Sequence, residues 1–156
     1  MKNLTKSCLL IASVLFGGFI GNGFADDVAE ITITADKITF IYDIKEFKVK
    51  AGQKVKLTFI NPKDSMNLQP HNLIIVKPGK LQAMMALVND PANFTNPEWI
   101  KNPIPETDNI LWHTKLLAVG EEETLEFTAP SEPGDYPYLC SYIGHAILMN
   151  GVMKVE

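Results

Sequence analysis

Short runs rich in β-branched and aromatic residues recur between turn signals along most of this chain, and that rhythm restricts it to an all-β sandwich or barrel. Runs at 31–34, 37–44, 46–49 and 54–60 come first. Ala51-Gly52-Gln53 supplies a turn before the last of them, and Asn61-Pro62 a stop after it. Within 54–60, Val55, Leu57 and Phe59 alternate with Lys54, Lys56 and Thr58, the pattern of a strand with one face buried. A more continuous apolar run at 71–76 ends at Pro78-Gly79, and further strands are expected at 111–117, 124–128, 135–140 and 148–155. The expectation is a sandwich or barrel of about eight strands.

Residues 80–109 break the rhythm. Leu81 to Val88 carries helix formers, whereas prolines at 91, 97, 103 and 105 forbid long regular structure. The segment reads as an irregular, partly helical insertion that covers one side of the sandwich. With 156 residues, 46% hydrophobic and 21% charged, the chain needs only one domain to account for its length and composition.

The first 25 residues are expected to be a signal peptide. Lys2 and Lys6 precede an apolar, charge-free run from Leu9 to Ile20, and Gly23-Phe24-Ala25 offers the small residues that a signal peptidase requires. Cleavage before Asp26 leaves 26–156 as the single domain, periplasmic or otherwise exported. The alternative is an uncleaved membrane anchor, but glycines at 17, 18, 21 and 23 interrupt a segment already short for crossing hydrocarbon, and no stable membrane span is expected after cleavage. Cys8 departs with the leader, so Cys140 becomes a solitary thiol in a compartment where thiols normally pair. A single buried cysteine is commonly a small hydrophobe; its neighbours here suggest a sharper reason.

Cys140, His145 and Met149 stand in the run Cys-Ser-Tyr-Ile-Gly-His-Ala-Ile-Leu-Met, with His71 following Pro70 far upstream. A thiolate and two imidazoles make the trigonal set that favours copper, and a thioether is the weak axial ligand that tunes its reduction potential. A lone histidine in a strand is more often structural; the downstream trio reverses that reading for His71, whereas His113 lacks such company and is left out of the site. Met66, Met84 and Met85 are soft thioethers, but methionine is more often core filler. With Cys140 ending one strand and Met149 opening the next, a loop of eight intervening residues presents three ligands at one end of the sandwich. Ligands held rigidly by strands suit an ion that changes oxidation state with little rearrangement.

The segment from Tyr138 to Gly151 resembles the azurin and auracyanin group of blue copper proteins, the cupredoxins with Cys, four residues, His, three residues, Met. The likeness continues through His71-Asn72, His113-Thr114-Lys115, Gly120-Glu121 and Gly134-Asp135-Tyr136, and so covers about 31–155. It implies a Greek-key β-sandwich and one type 1 copper ion, with His71, Cys140 and His145 as equatorial ligands and Met149 as the axial one. It implies further that the backbone N–H groups of Asn72 and Tyr142 point at the Cys140 sulfur, raising the potential, and that Ser141 bonds Asn72. His145 would turn an edge to solvent, and Ile143, Ala146 and Ile147 would form an apolar patch for brief contacts with protein redox partners.

The chain departs from that pattern at three points. Pro70 stands where azurins carry glycine, which fixes φ beside a carbonyl that would otherwise be a candidate second axial contact. Ile143 replaces a common proline before Gly-His, which implies a less rigid loop, and no second cysteine survives export to form the azurin disulfide. The 80–109 insertion is also longer and richer in proline than the family leads one to expect.

Charge narrows the partners. All 18 acidic residues and 12 of the 14 lysines follow Ala25, a balance of −6, and arginine is absent. Nucleic-acid binding is therefore unsupported. Glu121-Glu122-Glu123 reads as a solvated turn between strands. An enzyme is not expected, because copper catalysis generally needs an open coordination position or a second metal cluster. A binuclear copper site would need a second cysteine, and burial at a strand end does not aim a thiolate at substrate. The reading is an exported type 1 copper protein that carries single electrons between redox partners; the alternative is a periplasmic copper carrier or store, which calls for accessible, exchangeable ligands.

Overall fold

The computed structural model describes residues 27–156; the expected leader and its cleavage site lie outside the described residues. In chain order the elements are β1 (Ala29–Thr34), β2 (Glu46–Val49), β3 (Lys54–Ile60), β4 (Ile74–Val76), α1 (Leu81–Val88), α2 (Pro97–Lys101), β5 (Ile110–His113), β6 (Glu122–Thr128), β7 (Gly134–Leu139) and β8 (Asn150–Val155). The eight strands form two sheets. One has the order β1-β3-β6, with β1 parallel and β6 antiparallel to β3. The other has the order β2-β8-β7-β4-β5, parallel only between β2 and β8.

Alternation in β3 does what its sequence implies. Val55, Leu57 and Phe59 are buried while Lys54 and Lys56 face out. The inner faces of both sheets close over a core that includes Ile33, Leu57, Phe59, Leu73, Ile75, Tyr138 and Met153. Each such side chain contributes about 1.5–3 kcal/mol when fully buried, which makes this layer the dominant support of the site above it.

Three segments differ from the sequence expectation. The 37–44 run is not a strand: Asp36 Oδ1 accepts from the N–H groups of Ile38 (3.0 Å) and Thr39 (2.6 Å), a local turn that competes with strand pairing. Only an isolated bridge between Ala35 and Tyr42 remains. Pairing in the 71–76 run begins late, at Ile74, and His71 is held instead by reciprocal backbone bonds with Leu117 of 3.0 and 2.8 Å. The 111–117 run correspondingly splits, because Thr114 Oγ1 accepts from Leu73 N–H and draws the chain out of the ladder after His113.

The glutamate run is also more structural than a solvated turn. Glu122 and Glu123 begin β6, Glu121 Oε2 accepts from Ala118 N–H at 2.9 Å, and Glu123 Oε2 accepts from Lys115 N–H at 2.8 Å. These carboxylates brace the connection that returns past His71.

The 80–109 insertion is α1, a 3-10 turn at Pro91–Thr95, and α2. Asn96 caps α2 by accepting from the N–H groups of Glu98 and Trp99. A second apolar cluster joins Met84 and Val88 of α1 to Ile74, Val76, Leu139 and Ala146. Met84 is thus core filler, as its residue type suggested, whereas Met66 is exposed. Among the described residues no helix is long and apolar enough to cross a membrane.

Candidate metal centre

The ladder between β7 and β8 ends at the pair Leu139 and Asn150. Just beyond it Cys140 N–H donates to Met149 O at 2.9 Å, closing the 140–149 loop at its base. Inside the loop His145 N–H donates to Tyr142 O at 3.0 Å, and Met149 N–H returns to His145 O at 2.8 Å. Gly144 takes φ of +80° between these turns, a conformation that costs glycine little and other residues more. From outside, the Lys45 ammonium donates to Leu148 O (2.9 Å) and Asn150 O (3.1 Å), the carbonyls on either side of Met149.

This folding brings three of the four expected ligands into one cluster. The donor atoms of His71, Cys140 and His145 all lie within 4.8 Å of one another, and all three residues are buried. Met149 is fully buried in the same core group as Cys140. Cys140 Sγ stands 3.7 Å from His145 Nδ1. For bonds of about 2.0 Å to nitrogen and 2.3 Å to sulfur, a trigonal arrangement separates such donors by about 3.7 Å. That spacing is what two ligands of one first-row metal ion require.

Unmet polar capacity points the same way. Both ring nitrogens of His71 are buried without a hydrogen-bond partner, a cost that a native fold does not ordinarily leave uncompensated. Burial pushes the Cys140 thiol up to about 12, against the pull of hydrogen bonds from the N–H groups of Asn72 and Tyr142. Those two donors suit a thiolate, yet a thiolate here needs a cation. Burial lowers His71 to about 4, with the neighbouring His145 adding to the effect, and burial lowers His145 to about 4 as well. Both rings are therefore neutral near pH 7, with lone pairs free to ligate. The donor set, one thiolate and two imidazoles beside a thioether, fits copper.

A hydrogen-bonded frame ties the halves of the cluster together. Asn72 Nδ2 donates to Ser141 Oγ at 2.7 Å, and Ser141 N–H donates to Asn72 Oδ1 at 2.8 Å. These bonds lock the segment after His71 to the segment after Cys140, as the resemblance implied for this pair. Tyr42, wholly buried, adds a third tie by donating its hydroxyl to Asn72 O at 2.6 Å.

His145 is 5% exposed where His71, Cys140 and Met149 are wholly buried, in keeping with a ring that turns only an edge to solvent, and the Phe40 ring stacks on the imidazole at 4.4 Å between centroids and 15° between planes. One expectation about the outer face needs correction. Ala146 is fully buried beneath α1, so it belongs to no surface patch, whereas Ile147 and Leu148 are 67% and 59% exposed. His113 is exposed and outside the cluster; its Nδ1 lies 3.1 Å from Thr114 O. Sequence reasoning missed Phe40, Lys45 and Tyr42. Phe40 lies in the 37–44 run expected as a strand, and the Asp-x-x-Thr turn signal at Asp36 is the clue that the strand stops short.

A thiolate, two imidazoles and a thioether gathered at one end of a two-sheet β fold define a cupredoxin site. The chain belongs to the family described as copper binding proteins, plastocyanin/azurin family, whose profile matches residues 29–156. Its cofactor is accordingly one type 1 copper ion. It is 34% identical over 108 residues to outer membrane protein H.8 of Neisseria gonorrhoeae, 69% of this chain and 52% of that protein. It is 32% identical to auracyanin-A of Chloroflexus aurantiacus across 164 aligned positions, covering 98% of this chain and 93% of that one. The structure of dithionite-reduced auracyanin from Roseiflexus castenholzii matches at 38% identity and a TM-score of 0.66, covering 82% of this chain and 97% of its own. The chain spans about half the length of the H.8 proteins it matches.

Proposed function

We propose that the protein is an exported electron carrier, not an enzyme, in which His71, Cys140, His145 and Met149 would hold the copper. The observation that carries this reading is the two-way Asn72–Ser141 bond between the His71 and Cys140 segments, fully buried and made entirely by the chain's own groups. Ligands fixed in that way do not have to rearrange when charge changes, and low rearrangement is the condition for fast one-electron exchange.

When bound, copper supplies the Cu(II)/Cu(I) couple; the chain supplies its constraints. The N–H groups of Asn72 and Tyr142 hold negative charge on the Cys140 sulfur, which stabilises the reduced state relative to a bare thiolate. Phe40 covers one face of His145, and burial of the other ligands limits the access of a substrate to the site. Exposed Ile147 and Leu148 on the ligand loop give a redox partner an apolar surface for short-lived contact. The mature balance of −6 adds a preference for basic partners. Export rests on the leader-like pattern of residues 1–25, which would leave 26–156 as the working domain.

The test is transfer measured against metal loss. An electron carrier, loaded with Cu(II) and mixed with a reduced one-electron protein such as a small c-type cytochrome, is reduced while its copper stays bound in the presence of a chelator. A store or metal carrier gives the reverse: copper passes readily to the chelator, and reduction is slow.

A further inference from the structure

Residues 80–109 do more than cover the sandwich. Where α1 ends, Asn89 accepts the Gly144 N–H at its Oδ1, 3.1 Å away. Only the oxygen of the amide can accept, so the donor itself fixes the orientation of the Asn89 side chain. Asn89 is held in turn by its own N–H on Met85 O (3.2 Å), and the stretch after it by Asn93 Nδ2 on Leu87 O (3.0 Å). On the same helix Met84 and Val88 are buried in one apolar cluster with Ala146. The insertion therefore grips the ligand loop on both sides of His145, by a hydrogen bond at residue 144 and by packing at residue 146. Ile143, standing where a proline would stiffen the loop, leaves that stiffness to be supplied from elsewhere.

We propose that the 80–109 segment is an outer clamp on the ligand loop, with Asn89 a positioning residue that fixes the Gly144 peptide and through it the His145 imidazole. The part of this inference that concerns electron transfer rests on the copper reading above; the clamp itself does not. Phe40 presses on the face of the ring, and the Asn89 bond restrains the backbone that carries it, so the imidazole is held at two independent points. A loop released from the clamp would let the imidazole shift with each change of oxidation state and so slow electron exchange.

The experiment uses Asn89→Ala, which removes the acceptor, and Asn89→Asp, which keeps it. In the metal-free protein, hydrogen exchange of the Gly144 amide should quicken about fivefold or more in Asn89→Ala, as expected for loss of one hydrogen bond. It should stay near the unsubstituted rate in Asn89→Asp. In the copper-loaded protein, Asn89→Ala should slow Cu(II)/Cu(I) self-exchange and alter the copper hyperfine splitting, and Asn89→Asp should restore both. An unchanged Gly144 amide in Asn89→Ala overturns the clamp. A faster amide with unmoved self-exchange and hyperfine splitting upholds the clamp on the loop backbone and overturns the positioning role of Asn89. An unsubstituted protein that shows no type 1 spectrum overturns the copper reading, and with it the positioning role, while the metal-free amide still decides the clamp.

Discussion

Replacing Asn72 by alanine isolates the frame on which the centre depends. The substitution removes two hydrogen bonds, 2.7 and 2.8 Å long, and leaves the fully buried Ser141 N–H without its acceptor. An orphaned buried donor costs about 1–3 kcal/mol, and each ordinary hydrogen bond contributes about 1 kcal/mol net, so the expected loss is about 2–4 kcal/mol. A domain of this size typically has about 5–15 kcal/mol to lose, so the metal-free variant should still fold. Urea unfolding of the metal-free protein, followed by tryptophan fluorescence, reads the difference. With a slope of about 1–3 kcal/mol/M the midpoint should fall by roughly 1–2 M with the slope unchanged. Ser141→Ala keeps the bond from Ser141 N–H to Asn72 Oδ1 and loses only the other, so it should cost less than Asn72→Ala. The double variant should be less destabilised than the sum of the two. A loss below about 0.5 kcal/mol in Asn72→Ala would show that the two ligand segments are held by something else.

Lowering the pH should destabilise the metal-free protein well above the range where carboxylates titrate. His71 and His145 are depressed from 6.5 to about 4 in the folded state. Between those values the unfolded chain binds protons that the folded one refuses, so stability is full above about pH 6.5 and drains as the pH falls towards 4. By pH 5 the loss is about 2 kcal/mol per histidine, read from urea midpoints at a series of pH values; a flat profile from pH 7 to 5 would contradict the burial argument. Phe40→Ala should uncover His145. It should let added imidazole perturb the Cu(II) spectrum at concentrations that leave the unsubstituted protein unchanged, and equal resistance in both would refute a shielding role. Gly151→Ala should destabilise by about 1–3 kcal/mol in thermal unfolding. An added Cβ at that position meets the Tyr138 ring and stands 2.7 Å from Lys45 O. An unchanged midpoint would mean that the Tyr138 ring and the backbone at Lys45 yield freely.

The parts of the molecule legible in the sequence are those where residue type and spacing carry the physics directly. The β3 alternation of Val55, Leu57 and Phe59, the loop from Cys140 to Met149 and the partly helical insertion all stand where residue pattern places them. What escaped is set by contacts remote in sequence. Nothing local to Lys45 announces that its ammonium will bind carbonyls 103 and 105 positions away. Phe40 is shielding rather than strand because Asp36 captures two backbone N–H groups first, a competition that alternation alone does not weigh. The ring stacked on His145 escaped because the family resemblance describes the ligand loop and not residue 40. The insertion's role was invisible for the same reason: Asn89 and Gly144 are 55 residues apart.

The central claim is that His71, Cys140, His145 and Met149 converge on one copper ion with thiolate character. It is tested most directly by the visible and electron paramagnetic resonance spectra of residues 26–156 after addition of one equivalent of Cu(II), with Cys140→Ser alongside. The unsubstituted protein should show an intense blue absorption and a narrow copper hyperfine splitting, both lost in Cys140→Ser while the fold persists. A weak, ordinary Cu(II) spectrum, or a blue band that survives Cys140→Ser, would contradict it.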